Sequence, residues 1–465
     1  MPPHSDCLPK PYRPRKPQES PLYKVVSQYF DEFERVYPER FEKTYGFWRP
    51  VIRVSIEKYL KCGDLKEGFA RVHCPDCGTD FWIPFSCKCR NFCPSCDKKR
   101  AIILGLRLTE DIVEQVPHRQ WVFTIPKRLR IFVRFDRTLL GKMCTVAYET
   151  VREIFAHAVG DNDGVAGMIA VPQSFGDLLN FHSHTHAIIS EGCFLPSGHF
   201  VPITDIDITT VVTLWQEKIF ALLLAENKIT PDVVQNMRQW EHSGFSIDTS
   251  VRLEAGDTDG IQRVSEYIAR SPLSLGRVVA LTDDGSVIYR ATQSDCFTFP
   301  LPVDELLTAG TSRNFQIFSP LEFLAELTQH IPNKGDHMIH YYGYYSNKNR
   351  GMRLKKAAVS CGNPPTEEKP LWEFQKKLRS TWAVLIKCVF EVNPLCCPKC
   401  GGSMKIIALI DHRQEAVIQK ILKHCGLWNN PPPVIRVPPT VNRIETEELV
   451  PQFTYDDDFF NQLVN

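Results

Sequence analysis

Residues 181–190 read "FHSHTHAIIS". Histidines recur at every second position, 182, 184 and 186, and the chain then turns apolar. Side chains of an extended strand alternate between its two faces. One face therefore receives His182, His184 and His186, and the other Phe181, Ser183, Thr185, Ala187 and Ile189. Imidazole nitrogens on a rigid strand can hold a divalent metal and leave positions open to a substrate oxygen. A lone histidine would read as an ordinary polar strand position. Three in alternation favour the metal.

Strands and helices surround this segment. "VAGMIAVPQSF" before it reads as a neighbouring strand joined by a short "GDLL" turn, and "QWVFTIP" (120–126) as a strand stopped by proline. Amphipathic patterns predict two helices over 21–62, the second ending near Gly63, and further helices at 98–115, 138–158, 208–227, 262–270 and 320–330. "GRVVALTDDGSVIYRAT" reads as a hairpin around Asp-Gly. A length of 465 residues exceeds one ordinary core, so two or three domains are expected. Composition, 43% apolar and 23% charged, suits a globular protein, and the absence of a run of about 18 apolar residues predicts no membrane span. The N-terminal "MPPHSDCLPKPYRPRKPQES" is basic and proline-rich with no apolar segment behind it, so it reads as a flexible arm and not a secretory signal. "PPPVIRVPP" (431–439) is a stiff linker ahead of an acidic tail. The 17 cysteines are clustered, which points to a reducing compartment and metal ligation over a disulfide framework.

Net charge is only +1, but it is unevenly spread. Residues 1–100 carry 19 Lys+Arg against 13 Asp+Glu (+6), residues 341–430 carry 15 against 6 (+9), and the last 35 carry 2 against 6 (−4). Two basic segments thus flank a centre, 101–340, of about −10, a pattern that permits polyanion binding at the flanks.

Cys74-Pro-Asp-Cys77 and Cys93-Pro-Ser-Cys96 form two CxxC turns separated by 15 residues. Four thiolates so spaced close a tetrahedral Zn²⁺ site, with Cys87 and Cys89 in the spacer able to substitute or supplement. The adjoining "KCRNFC" and "DKKR" are basic with an aromatic, a composition suited to phosphates.

"HYYGYYSNKNRG" (340–351) packs four tyrosines into five residues. Read as helix, it puts Tyr341 and Tyr345 on one face at i and i+4, although Gly343 lowers the propensity. A phenol can attack phosphorus to form a covalent phosphoester, and Lys348, Arg350 and Arg353 follow as candidate DNA-binding cations. Alone, the stretch would read as an aromatic core patch or a base-stacking surface.

With the histidines and cysteines, it reads differently. The chain resembles the two-tyrosine HUH rolling-circle transposases of the IS91 type over about 20–428. The blocks carrying the resemblance include "FSCKCRNFCPSC", "HRQWVFTIPKRLR", "FHSHTHAIISEG", "WEHSGFSID", "VSEYIARSPLSLGRV", "PLEFLAELTQHIPNKGDHMIHYYGYYSNKNRG" and "NPLCCPKCGGSMKIIALI". The resemblance implies an α+β fold, an HUH endonuclease domain with a central antiparallel sheet flanked by helices and preceded by a small zinc-binding module. It puts the histidines on a central strand and the tyrosines on a helix facing them. The HUH pair falls on His184 and His186, with Thr185 where a bulky apolar residue is usual, and the paired tyrosines on Tyr341 and Tyr345. Cys89 stands where glycine is frequent. Cys397 and Cys400 match a late CxxC turn, a candidate second zinc site that His424 or Cys425 could complete.

The domain layout expected is a flexible arm (1–20), a helical zinc-binding DNA-binding module (21–115), the catalytic domain (116–360), a basic segment with the late CxxC turn (361–430), and the linker and tail (431–465). The implied reaction is metal-dependent transesterification. Mg²⁺ or Mn²⁺ on His184, His186 and a third polar ligand, for which His182 is a candidate, neutralises the scissile phosphate of single-stranded DNA at the ends of a mobile element. A tyrosine attacks, leaving a 5′-phosphotyrosine and a free 3′-hydroxyl, and the second tyrosine serves strand transfer. The implied setting is the bacterial cytoplasm, on the nucleoid. Two other classes remain. A non-catalytic zinc DNA-binding protein predicts loss of a catalytic element, whereas both histidines and both tyrosines are present. A metal phosphodiesterase would use water in place of tyrosine.

Overall fold

The computed structural model describes residues 17–160, 163–291, 315–360, 396–397 and 399–428. The arm over 1–16, most of the basic segment over 361–395, and the linker and tail from 429 lie outside the described residues.

Three helices come first, α1 (Pro21–Arg40), α2 (Glu42–Tyr45) and α3 (Pro50–Leu60). Ser20 caps α1 by accepting from the Tyr23 N–H at 3.2 Å, and Pro21 occupies the first turn, where a missing N–H costs nothing. A hairpin follows, β1 (Gly68–His73) and β2 (Asp80–Pro84), and then α4 (Pro94–Arg107). The central region runs β3 (His118–Thr124), α5 (Lys127–Phe135), α6 (Thr138–Val159), β4 (Val165–Phe175), β5 (Phe181–Phe194), β6 (Phe200–Pro202), α7 (Ile208–Ala225), α8 (Pro231–Arg238), β7 (Ser246–Asp248), β8 (Arg252–Leu253) and α9 (Thr258–Ile268). Then come β9 (Val278–Leu281), β10 (Val287–Arg290), β11 (Phe315–Phe318), α10 (Pro320–Thr328), β12 (His340–Gly343), α11 (Asn347–Ser360), β13 (Lys405–Asp411) and α12 (Glu415–His424).

The main sheet has the order β12-β4-β5-β3-β7, every neighbour antiparallel, with β6 on β5 and β8 on β3. Helices cover both faces. On one face Trp121, Phe123, Ala187 and Ile189 pack with Met143, Val151 and Phe155 of α6 and Trp215 and Phe220 of α7. On the other, Ile169, Val171 and Ile188 pack with Leu104 of α4 and Ile261, Val264 and Ile268 of α9. β5 is thus buried on both sides, which is why Ala187, Ile188 and Ile189 follow one another with no polar residue between them. This is the α+β arrangement expected, with the histidines on the central strand.

No run of 18 apolar residues is present, but one helix reaches membrane length and hydropathy. α7, with a mean hydropathy of 1.4 over 18 residues, is long and apolar enough to cross a bilayer. Its Val211, Trp215, Ile219, Phe220 and Leu223 are buried against the sheet, and the Trp215 indole donates to the Thr124 carbonyl at 2.9 Å.

Two small sheets join distant parts of the chain. β9-β10-β11 is an antiparallel meander turning at Asp284-Gly285, and its Val287, Tyr289 and Phe318 share a core with Leu22, Val25 and Phe33 of α1 and Leu324 and Leu327 of α10. In the other, β13 pairs with β1 from Gly68↔Asp411 to His73↔Lys405, and Ile418 and Leu422 of α12 pack on Phe69 and Ile410. The C-terminal segment therefore folds onto the N-terminal hairpin.

The tyrosine stretch departs from the helical reading. Residues 340–343 form the edge strand β12, in register His340↔Ala170, Tyr341↔Ile169, Tyr342↔Met168, Gly343↔Gly167, and helix begins only at Asn347. Ladder pairing suits the tyrosines, and Gly343 turns the chain out of the strand at φ 57°, a left-handed conformation. A Cβ there would run into the Ala166 carbonyl oxygen. Gly343→Ala should therefore lose about 1–3 kcal/mol from the backbone conformation alone, with the collision adding to it. Denaturant unfolding measures this, and an unchanged midpoint would contradict the turn.

Candidate active site and metal centres

The strand pleat aligns the three imidazoles, with ring centroids 4.9 Å apart for His182–His184 and 4.8 Å for His184–His186. The Nε2 atoms of His184 and His186 converge to 3.0 Å. Two ligand nitrogens about 2.1 Å from one metal at right angles are about 3.0 Å apart, so the pair is spaced for a shared cation. The His184 Nδ1 donates to the His182 carbonyl oxygen at 2.9 Å, which leaves its Nε2 with a free lone pair. The Gln120 amide nitrogen lies 3.1 Å from His186 Nδ1 and donates to it; turning the amide over presents its oxygen instead, which accepts from Nδ1–H and leaves Nε2 free to ligate. Burial pushes all three rings down, His182 to about 3, His184 to about 4 and His186 well below its ordinary value, so they are neutral and able to ligate at neutral pH. Thr185, on the opposite face, is buried with its hydroxyl 3.8 Å from the Cys144 thiol.

Cations line the approach to this face. The guanidinium groups of Arg130 and Arg270 depress His184 further after burial. Arg130 donates to the Ile125 carbonyl at 3.0 Å, and burial pulls it down to about 10. Arg270 lies 4.8 Å over the Tyr267 ring and 5.7 Å from that of Phe175, and its buried Nε has no hydrogen-bond partner among the described residues. Tyr267 stands edge-on to His186 at 5.6 Å. Beside them opens a cleft of about 550 Å³ lined by Lys98, Phe175, Arg270 and Ser271.

Residues opposite one another in a ladder point to one side, so Tyr341, through Ile169 and Ile188, lies on the face that carries His184 and His186. It is half-buried. Burial raises its phenol, Arg107 and Arg350 pull it back, and the Arg350 guanidinium lies 5.5 Å from the ring centroid. Tyr342 points the other way and stacks on Tyr148 at 5.1 Å. Tyr345 is fully buried, its hydroxyl 2.6 Å from His118 Nε2, and burial drives its phenol far up. The structure therefore does not bring Tyr341 and Tyr345 together on a helix face. Lys348 is exposed on α11. Arg353 is engaged with the protein, donating to the Tyr344 carbonyl at 2.6 Å and pairing with Glu114 at 3.5 Å.

The cysteines correct the sequence reading. Cys74, Cys77, Cys93 and Cys96 do not share one site. Cys93 and Cys96 join Cys62 and Cys87, while Cys74 and Cys77 join Cys397 and Cys400, each set with ligand atoms within 4.8 Å of one another. In the first set Cys62–Cys93 and Cys87–Cys96 are 4.0 and 3.6 Å apart. Tetrahedral Zn²⁺ with bonds near 2.3 Å sets sulfurs about 3.8 Å apart. The hairpin β1–β2 leads the first CxxC turn away from the second, which is the physical reason the array divides. Cys89 belongs to neither set and donates to the Ser55 carbonyl at 3.2 Å. His424 and Cys425 are outside both sets as well.

Sequence reasoning missed Gln120, His118, Arg130, Arg270, Cys62 and Cys87's primary role. Period-two alternation within "HRQWVFT" does place His118 and Gln120 on one face, but only the β3–β5 register, Gln120↔Ile188, brings Gln120 to His186.

Buried neutral histidines also set the acid limit. Burial holds His118 at about 4 and His330 at about 3, and His330 is bonded to Ser174 Oγ at 3.0 Å and to the Leu179 carbonyl at 2.8 Å. The unfolded chain binds these protons below pH 6.5 and the folded chain does not until pH falls near 4 and 3. Stability is thus whole above 6.5 and lost as pH falls through that window, by ~1.4 kcal/mol per ring per pH unit. Thermal melts from pH 7.5 to 4.5 should show the decline, and His330→Gln should flatten its slope.

Two family models match the chain, "Transposase zinc-binding domain" over residues 32–125 and "Putative transposase" over 167–352. The chain is 22% identical over 382 residues to the transposase for insertion sequence element IS801 of Pseudomonas savastanoi pv. phaseolicola, covering 78% of this chain and 85% of that one. It is 25% identical over 312 residues to the putative transposase y4qJ of Sinorhizobium fredii, covering 62% and 73%. No solved structure matches. The second family model spans the histidine strand and the tyrosine segment, and the first spans Cys62, Cys74, Cys77, Cys87, Cys93 and Cys96. Cysteine clusters and zinc-domain match agree on structural Zn²⁺, and the chain belongs to the IS91-type transposases that carry an N-terminal zinc-binding domain.

Proposed function

We propose that this transposase nicks single-stranded DNA at the ends of its element by tyrosine transesterification, with Tyr341 as the first nucleophile. The observation that carries the reading is the 3.0 Å Nε2 pair of His184 and His186 on the sheet face that Tyr341 shares. Mg²⁺ or Mn²⁺ fits a pair of neutral, oriented imidazoles with open positions, and its chemistry there is to offset charge on the non-bridging phosphate oxygens. Gln120 and the His182 carbonyl orient the two rings. Arg270 and Arg130, on the same face without carboxylate partners among the described residues, and Arg350 beside Tyr341 favour a phosphodiester there. Lys348 extends the cationic surface along α11.

In this reading the Tyr341 hydroxyl loses its proton and its oxygen bonds to the scissile phosphorus. The bond from phosphorus to the 3′-oxygen breaks, and that oxygen takes up a proton. The products are a 5′-phosphotyrosine and a 3′-hydroxyl. One phosphoester replaces another, so strand transfer can run the step in reverse onto a new 3′-end with no outside energy source. Tyr345, held by His118, is the reserve nucleophile and must leave its buried position to act.

Single-stranded DNA carrying an element end, incubated with the full chain and Mg²⁺ or Mn²⁺, should yield an adduct that survives denaturation and maps to Tyr341. Tyr341→Phe should fold, bind DNA and form little adduct, and Tyr345→Phe should still nick but fail at strand transfer. His184→Ala or His186→Ala should abolish nicking with DNA binding kept. Gln120→Ala should raise the metal concentration needed by about 10–100-fold. Hydrolysed DNA with no adduct in any variant would make water the nucleophile and overturn the tyrosine reading.

A further inference from the structure

The thiol set Cys74, Cys77, Cys397 and Cys400 joins residues 320 or more positions apart in the chain. Only its first half lies inside the matched zinc-binding domain, which ends at residue 125. Its two halves are built alike. In the first turn the Cys74 N–H donates to the Thr79 carbonyl and the Gly78 N–H to the Cys74 carbonyl, both at 2.9 Å, with Gly78 at φ 71°. In the second the Cys397 N–H donates to the Gly402 carbonyl and the Gly401 N–H to the Cys397 carbonyl, both at 2.8 Å, with Gly401 at φ 75°. The same two bonds recur at the same offsets. Each turn ends in a left-handed glycine, a conformation that other residues adopt only with strain. Such turns aim both of their sulfurs to one side.

The two turns face each other. Cys74 Sγ is 3.5 Å from Cys400 Sγ, and Cys77 Sγ is 3.5 Å from Cys397 Sγ. These separations exceed a disulfide bond of about 2.05 Å and lie near the sulfur–sulfur edge, about 3.8 Å, of a Zn²⁺ tetrahedron. All four ligands are sulfur, which selects zinc over hard cations. Strand pairing supports the same junction, since β1 pairs with β2 on one side and with β13 on the other. We propose that these four cysteines bind a second Zn²⁺, and that this ion clasps the C-terminal strand to the N-terminal hairpin, closing the intervening chain, which carries the catalytic sheet, into one loop. A cross-link over so long a loop removes much chain freedom from the open state.

The two sites differ in access. Each set has one partly exposed cysteine, Cys87 and Cys77, and the rest are buried except Cys400 of the second set, which is exposed. The second zinc should therefore exchange faster with a chelator than the first.

Elemental analysis of the purified full chain tests this. Wild type should hold two zinc per chain, and Cys397→Ser/Cys400→Ser should hold one. A colorimetric chelator should take one equivalent from wild type in a fast phase that the double variant lacks. Hydrogen exchange should rise together in β1 and β13 once the fast equivalent is removed, while the main sheet stays protected. This last measurement on wild type does not require the variant to fold. One zinc in wild type, two in the double variant, iron in place of zinc, or β13 unchanged after the fast loss would each overturn the proposal.

Discussion

The burial of β5 on both faces is the constraint from which the site derives. A strand that is covered on one side by α6 and on the other by α4 and α9 keeps its side chains out of water, and imidazoles placed there lose their protons. The same burial immobilises them. His184 is fixed by the carbonyl of His182 two residues back, and His186 by Gln120 on the adjacent strand. Neutrality and orientation, the two properties a metal ligand needs, thus follow from the position of one strand in one sheet.

The tyrosine segment shows a local preference yielding to a tertiary one. Tyr341 and Tyr345 satisfy the i, i+4 spacing of a helix, yet Tyr341 enters a ladder with Ile169, and Tyr345 lies over Gly167, where a Cβ would collide with its ring. Gly167 and Gly343 stand opposite one another and leave room for the chain to turn out of the strand. The outcome separates the phenols. One is half-buried beside Arg350, and the other is enclosed and bonded to His118. Equal residues in the sequence are therefore unequal in the fold, and a reaction that uses both needs local opening around Tyr345, a motion of the kind that low-stability segments supply.

What could be read from the sequence divides along the same line. The histidine face was legible because alternation is a property of the strand alone, and the hairpin at Asp284-Gly285 because its turn chemistry is local. The helices α1, α3, α6, α7, α9 and α10 followed from periodicity. The cysteine partners were not legible. Four CxC or CxxC fragments look alike to a reader of spacing, and nearness in sequence favoured joining Cys77 to Cys93. The choice is made instead by β1–β2, which carries Cys74 and Cys77 toward β13, and by the end of α3, which delivers Cys62. Gln120 and Arg270 escaped for the same reason, since their roles exist only through register and helix packing.

The meeting of the chain ends also changes how the charge pattern is understood. Along the sequence, basic segments at 1–100 and 341–430 seem to be separate flanks of an acidic centre. In space, β13 pairs with β1, Lys66 lies 4.9 Å from the Trp428 ring, and α12 packs beside Phe69. Residues from both basic segments form one body. A polyanion contacting that body meets charge from both ends of the chain at once, and multivalent contact strengthens binding without any single strong site. The cations near the histidines, Arg130 and Arg270, are few and partly buried, which suits holding one phosphate in register more than gathering a strand. The pairing of β1 with β13 makes residues of the two basic segments neighbours on one surface.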